Sequence, residues 1–480
     1  ATTVQSKLRE SVSVKDFGAV GDGVTDDTAA IQAAIDASTF VVVPDPSVYY
    51  KIVGSLQLRN NTVLLGQTGY RGLNEGSTGN FTFVGDGINP VFITGTYPGG
   101  SGLLNRNIRL ERISARNNGA QVIDLFTANN WKILGCALLS YSFADATKGA
   151  VNIRYSYRGE LKGNWLGASG GAWAVSMYDN CNGVDGQDNV ISGGSLGGAV
   201  DIGQSQQVRF NGTIIEVSTK GFRVGASGVT GAGLCNGVNL DDNYLEQVGT
   251  PYEIGTGFIV RGLSIQRGWI ANTSLSGTED NYFKLGRVQG WKIGGGISIA
   301  RKTGGTAEIF DFQYSASAPL YATSGEATDL YYTGGTGAFY KTTSFPSAAL
   351  AGNLFGLNRV QLAIGGPISG FRVHETGTIT ANVGLTAYAA IPTTATGGVV
   401  DSIEVIQGSG TLGCTVNVGS SASATEVQTF DPSSLTLVAG AADSGLTASK
   451  ILRAGDYLRV AVTAGAGTGT FKLRIKYRAF

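Results

Sequence analysis

The 480 residues predict an all-β protein: a right-handed parallel β-helix, capped by a short N-terminal α-helix and followed by an antiparallel β-sandwich. Three observations carry this. The chain holds 73 glycines, with 42% hydrophobic and 15% charged residues, the balance of an ordered, turn-dense β protein. A short strand-rich unit recurs from Asn107 to Ser298, and beyond Phe371 the strands alternate at hairpin spacing.

The repeat is read by aligning LERIS, KILGCAL, LKGNWL, DGQDNVIS, VRFNGTIIE, VNLDDNYLE, LSIQRGWIA and WKIGGGIS. Their closing aliphatic anchors are Ile113, Leu138, Leu166, Ile191, Ile215, Leu245, Ile270 and Ile297, separated by steps of 25, 28, 25, 24, 30, 25 and 27 residues. Units of this length, rich in Val, Ile, Trp, Tyr and Thr and punctuated by Gly or Asn, bury an apolar face only against the next unit. Equivalent positions then stack at about 4.8 Å, and function lies on an outward face.

Taken in order, residues 1–38 form a connector and the capping helix. In SVSVKDFGAVGDGVTDDTAAIQAAIDAS (Ser11 to Ser38), Val12 and Val14 alternate as a strand, Gly18, Gly21 and Gly23 permit turns, and Asp26 or Asp27 caps a helix. Its apolar stripe is Ala29, Ala30, Ile31, Ala34 and Ile35, suited to cover the open edge of the first coil. The β-helix is assigned to 39–310, with Val41 to Ile52 and Leu56 to Gln67 as first coils and loops from Thr68 to Gly102. In that loop region Tyr70, Arg71, Tyr97 and Phe81 to Phe83 either line a sugar groove or, as packing favours, sit under long loops. A connecting region, 311–370, carries Tyr314, Tyr321, Tyr331, Tyr332 and Tyr340. The sandwich spans 371–480, where Phe471, Leu473, Ile475 and Tyr477 alternate with Lys472, Arg474, Lys476 and Arg478.

Lys+Arg and Asp+Glu balance at 35 each, so overall charge argues against nucleic acid or an anionic membrane as partner. No apolar run of about 20 residues and no leader-like start is seen, so membrane insertion is not expected. Cys136, Cys181, Cys235 and Cys414 lack metal-ligand spacing and are expected to pack as small hydrophobes, with no metal and no cofactor.

Aligning GTIIEVSTKGFRVG with DNYLEQVGTPYEIG without a gap places Glu216 under Glu246, with carboxylates roughly 5–8 Å apart in a parallel stack. Paired carboxylates suit glycoside hydrolysis, one donating a proton to the leaving oxygen while the other activates water or attacks C1. Asp241 and Asp242 are placed as assisting acids. Candidate substrate-binding residues are Asp201, Arg209, Lys220, Arg223, Tyr244, Arg267, Glu279 and Asp280; the cations either hold an anionic sugar or neutralise the acids, and Glu279 with Asp280 is a competing acid pair. Trp165, Trp173 and Trp269 are candidate sugar platforms, although the equivalent positions of Trp165 and Trp269 favour core stacking. His374, the single histidine, lies outside the repeats, which argues against a Ser/His/Asp triad. A lyase using Tyr244 with Arg209 or Lys220 is a second chemistry.

The string DFGAVGDGVTDDTAAIQAAI (Asp16 to Ile35) resembles the opening of the pectate-lyase-like superfamily domain, and the resemblance runs to roughly Ser298. The Asp cluster that binds Ca²⁺ in pectate lyases is not evident. Opening string, long β-helix and C-terminal β segment together resemble tailspikes of tailed bacteriophages, polysaccharide depolymerases without their head-binding domain. That resemblance implies a homotrimer on the virion tail or baseplate that binds and endo-cleaves capsule, exopolysaccharide or O-antigen at the bacterial surface. A non-catalytic glycan-binding adhesion fibre is the alternative from another class.

Overall fold

The computed structural model describes residues 11–67, 81–95, 105–225, 233–313, 326–334 and 340–343, and beyond these the strands between 372 and 479. Tyr70, Arg71, Tyr97, Tyr314, Tyr321 and Cys414 lie outside the described residues. Among the described residues from Val12 to Thr343 every strand pairing is parallel, and the coils contribute strands to three stacked faces. Parallel pairing therefore runs on past residue 310, through the strands Glu326–Thr333 and Tyr340–Thr343.

The interior consists of like residues in register. On one face Val151, Val175, Val200, Phe222, Tyr252, Phe283 and Phe310 stack in sequence. Its aromatic part is a pile of nearly parallel rings, with centroids 5.7 Å apart for Phe222–Tyr252, 5.2 Å for Tyr252–Phe283 and 5.1 Å for Phe283–Phe310. Another face carries the aliphatic anchors, which pair as expected from Leu138 through Leu166, Ile191, Ile215 and Leu245 to Ile270. At both ends the register differs by two. Leu138 stacks on Ala115 and Ile270 on Ile299, where the sequence pointed to Ile113 and Ile297. A two-residue slip keeps side-chain parity, so repeat spacing alone does not detect it; at the later end the offset is already 28 at Gln266–Gly294, and one extra residue at the bulge before Ile297 makes it 29 where the spacing gave 27.

Corners are set by left-handed residues. Gly135, Gly163, Asp188, Gly212, Asp242 and Arg267 all have φ between 53° and 63° and precede successive strands of the anchor face. The next residue in several coils is a buried asparagine. Asn164 accepts from the Cys136 N–H (2.9 Å) and donates to the Ile133 carbonyl (2.8 Å), and Asn189 and Asn243 donate likewise to Leu161 and Phe210. These amides satisfy backbone groups that the turn removes from the strand ladder. Cys136, Cys181 and Cys235 are buried at similar bends; desolvation pushes the first two thiols up to about 12 and the third to about 11, so they pack as inert hydrophobes.

The N-terminal string is a structural device. Only Val12–Ser13 is strand; Val14 opens a one-turn 3₁₀ helix because the Ser13 hydroxyl accepts from the Lys15 N–H. Gly21 has φ +69°, and a Cβ there would lie 2.7 Å from Pro46 Cβ. The Asp22 carboxylate accepts the Val24 and Thr25 N–H groups, and Asp27 accepts those of Val20 and Gly21, so these acids are consumed in turns. Asp26 accepts from the Thr28 N–H at the start of the helix Thr28–Ala37. That helix buries Ile31, Ala34 and Ile35, while Ala29 faces outward. It also closes the first coil's edge. Gln32 bonds both the N–H and the C=O of Gln57, and Thr28 does the same for Val53.

Strands of the supposed loop region appear at Phe83–Gly85 and Phe92–Ile93, with Phe81 and Phe83 buried beneath them, the packing role rather than a sugar groove. Beyond Arg372 all pairing is antiparallel, in two sheets. One contains Gly397–Ser409 beside Thr470–Ala479, and the other sets Tyr457–Thr463 between Leu385–Ala390 and Thr415–Gly419. His374 pairs with Ile475 in the first of these sheets and is not part of the parallel stack.

Candidate active site

The gap-free alignment holds in three dimensions: Glu216 and Glu246 are Cα register partners, flanked by the pairs Ile214–Tyr244 and Ile215–Leu245. Because Ile215 and Leu245 point into the core, the glutamates on the next residues point out. Each directly precedes a left-handed residue inside its long strand, Val217 (φ 46°) in Ile214–Val224 or Gln247 (φ 53°) in Asn243–Ile254, where the chain turns from one face to the next. A β-branched residue in that conformation is strained, and the strain sits directly beside Glu216.

The two carboxylates differ in surroundings. Glu216 is exposed and makes no hydrogen bond or ion pair among the described residues. Glu246 is half-buried and its Oε2 accepts from the Tyr244 hydroxyl at 2.9 Å. That bond, with burial and the field of both glutamates, holds the Tyr244 phenol above its ordinary value. Tyr244 also packs edge-on against Trp269, centroid to centroid 5.4 Å at 79°. Trp269 is 51% exposed. Trp165 and Trp269 do share one register column, through Val190, Ile214 and Tyr244, but the column faces outward, which corrects the core placement. Parity relative to the corner decides this, and repeat spacing does not report it.

The remaining candidates are placed elsewhere. Asp241 is buried, accepting from the Gln266 N–H (2.8 Å), the Ser264 hydroxyl (3.0 Å) and the Asn239 amide (3.0 Å). Asp242 is the left-handed corner residue and takes a two-pronged grip from Arg267 at 2.7 and 2.8 Å, which keeps its carboxyl below the usual range. Both are committed to the turn rather than aimed at Glu246. Glu279 accepts from the Tyr282 hydroxyl and the Lys302 N–H, while Asp280 pairs with Lys284, so the loop acids are held separately.

A charged ladder runs down the neighbouring face: Asp201, Arg223, Glu253, Lys284 and Asp311 in register, alternating in sign. Arg223 grips Asp201 at 2.6 and 2.8 Å and lies 4.2 Å over the ring of Trp173. Lys220 pairs with Glu253, an acid that sequence reasoning missed; its register under Arg223 was legible from the same alignment that paired the glutamates. Trp173 is buried rather than a platform. Arg209 is exposed on a third face, in register with Asp185 and Asn239. Among the described residues no three of His, Cys, Asp and Glu converge as a metal-ligand set, and no helix is long and apolar enough to cross a membrane.

Against known proteins, a 26-residue stretch is 85% identical to the mannuronan C5-epimerase AlgE5 of Azotobacter vinelandii; it is 5% of this chain and 3% of that relative, so the chain spans only a small part of the curated relatives it matches. The structure is similar to the surface adhesin PfbA of Streptococcus pneumoniae (16% identity, 69% of this chain, 94% of that one, TM-score 0.46). It is also similar to the tailspike gp61 of Pseudomonas phage phi297 (11% identity, 98% and 99% covered, TM-score 0.37). Residues 11–244 match the family model described as rhamnogalacturonase A/epimerase, pectate lyase-like. The matched stretch coincides with the capping helix and the coils of the parallel stack up to Tyr244.

Proposed function

We propose that the chain is a carbohydrate-active enzyme that hydrolyses a bacterial surface polysaccharide, with Glu216 and Glu246 as its catalytic pair. The carrying observation is the direct register of two outward carboxylates. Like charges one strand apart cost stability, so the arrangement calls for a role. Tyr244 donates to Glu246 and so fixes the position of that carboxylate, while Glu216 is left free to turn toward a bound polymer. Glu246 is then the base or nucleophile, and Glu216, in contact with solvent, delivers a proton to the glycosidic oxygen. Water adds its hydroxyl to C1 and its proton returns to the pair. A splay of about 5 Å leads to retention and about 6.5–9.5 Å to inversion.

In this reading the protein is the body of a phage tailspike depolymerase, outside the host cell, its two C-terminal sheets forming a sandwich that holds a homotrimer and its N-terminal segment leading to the tail. The opening string and the two-part all-β chain support it. A lyase is the second reading, with Tyr244 on the same outward face as the base, but the bond to Glu246 and the nearby carboxylates hold its phenol above its ordinary value and so oppose that role. Elimination beside a uronate also calls for a cation on its carboxylate, and Lys220, Arg223 and Arg267 are already paired.

The test is Glu216→Gln and Glu246→Gln on purified protein with capsular polysaccharides from a strain panel, read by mass spectrometry. Wild type yields oligosaccharides one water heavier, and each variant loses cleavage while retaining polymer. An active double variant overturns the assignment, unsaturated ends shift it to the lyase, and intact polymer throughout leaves the adhesion fibre.

A further inference from the structure

From the geometry we infer that the face carrying Glu216 and Glu246 binds an uncharged glycan laid along the helix axis, with Trp269 and Tyr331 as stacking platforms on the C-terminal side of the acid pair. This rests on the proposed site and names its substrate class. Trp269 pairs with Ser298, which pairs with Tyr331, so the two rings share one outward column two coils apart, about 10 Å. They are 51% and 49% exposed, the two most exposed aromatic side chains among the described residues. The serine between them leaves the gap open. Trp269 does not float: the edge-on Tyr244 ring, whose hydroxyl is tied to Glu246, braces it. Acid pair and platforms are thereby joined through one residue.

The choice of an uncharged polymer follows from charge. In the acid column Glu216 and Glu246 are succeeded by Ala271, Ala300 and Thr333, and the aromatic column from Trp165 to Tyr331 holds no Lys or Arg. Arg267, at the corner before Trp269, is neutralised by Asp242. A polyuronate on these two columns meets two carboxylates and, among the described residues of the columns, no Lys or Arg, while a neutral sugar presents an apolar ring face to each aromatic and hydroxyls to the acids.

Affinity electrophoresis tests this, using the uncleaving Glu216→Gln/Glu246→Gln protein in gels containing purified neutral or uronate-bearing bacterial polysaccharides. A neutral polymer is expected to retard it equally at 20 and 500 mM NaCl, and adding Trp269→Ala or Tyr331→Ala is expected to weaken retardation about tenfold. Trp269→Phe, which keeps the stacking surface, is expected to restore most of it, excluding a folding defect. Retardation by uronate polymers alone, falling with salt and indifferent to either aromatic, overturns the inference, as does failure of every neutral polymer. If the double Gln protein still cleaves, the catalytic assignment fails and the platforms stand; if aromatic variants bind unchanged, the reverse holds.

Discussion

Glu216→Gln removes one of two like charges stacked in register, so it is expected to stabilise the fold while abolishing cleavage. With about 4.8 Å between paired strands and side chains splayed to roughly 6 Å, the repulsion is about 0.7 kcal/mol in a water-like dielectric. Glu216 is the cleaner choice because it has no partner to lose, whereas Glu246 holds the Tyr244 hydroxyl. A change of that size raises the melting temperature by about 2 °C or less in a chain this large. The assay is differential scanning calorimetry at 10 mM and 1 M NaCl, completed as a double-mutant cycle with Glu246→Gln. The gain should vanish at high salt, where the screening length falls to about 3 Å. Equal or lower stability at low salt, a salt-independent gain, or a cycle without coupling would refute the idea that these carboxylates face one another.

Asn164→Ala strands the Cys136 N–H and the Ile133 carbonyl in the interior, so urea melting should show a loss of about 2–4 kcal/mol. Arg223→Met leaves the 2%-exposed Asp201 without its counter-ion, at a cost of about 3–5 kcal/mol near neutral pH. Burial raises the Asp201 pKa despite Arg223, and its removal raises it further; the variant's deficit is therefore full where the carboxylate must ionise and shrinks as pH falls through the raised value, which melting temperatures from pH 7 to 4 would show. A deficit that grows on acidification would contradict the pairing. Val217→Gly relieves the left-handed strain and is expected to stabilise by about 1 kcal/mol in thermal melts, with catalysis altered only if the corner aims Glu216.

By itself the sequence determined the coil. Repeat length and small turn residues give a parallel stack, because each strand-rich unit can bury its apolar side only on the next. Where two units align without a gap, register follows residue by residue, and Glu216 under Glu246 was legible for that reason. The capping helix and the carboxylate of Asp26 at its start were legible too, since cap chemistry is local. Tertiary structure alone decided three other matters. Register at the stack ends is two residues off the spacing, one of them at the later end coming from the bulge after Gly294, and a two-residue slip leaves the alternation unchanged. Whether Trp165 and Trp269 point in or out depended on which residue turns each corner, something a shared repeat position does not reveal. The cations Lys220, Arg223 and Arg267 found carboxylates 22 to 33 residues away, one coil above or below, and so are spent neutralising acids. Composition shows only that charges balance; which charges meet is a property of neighbours brought together by the fold.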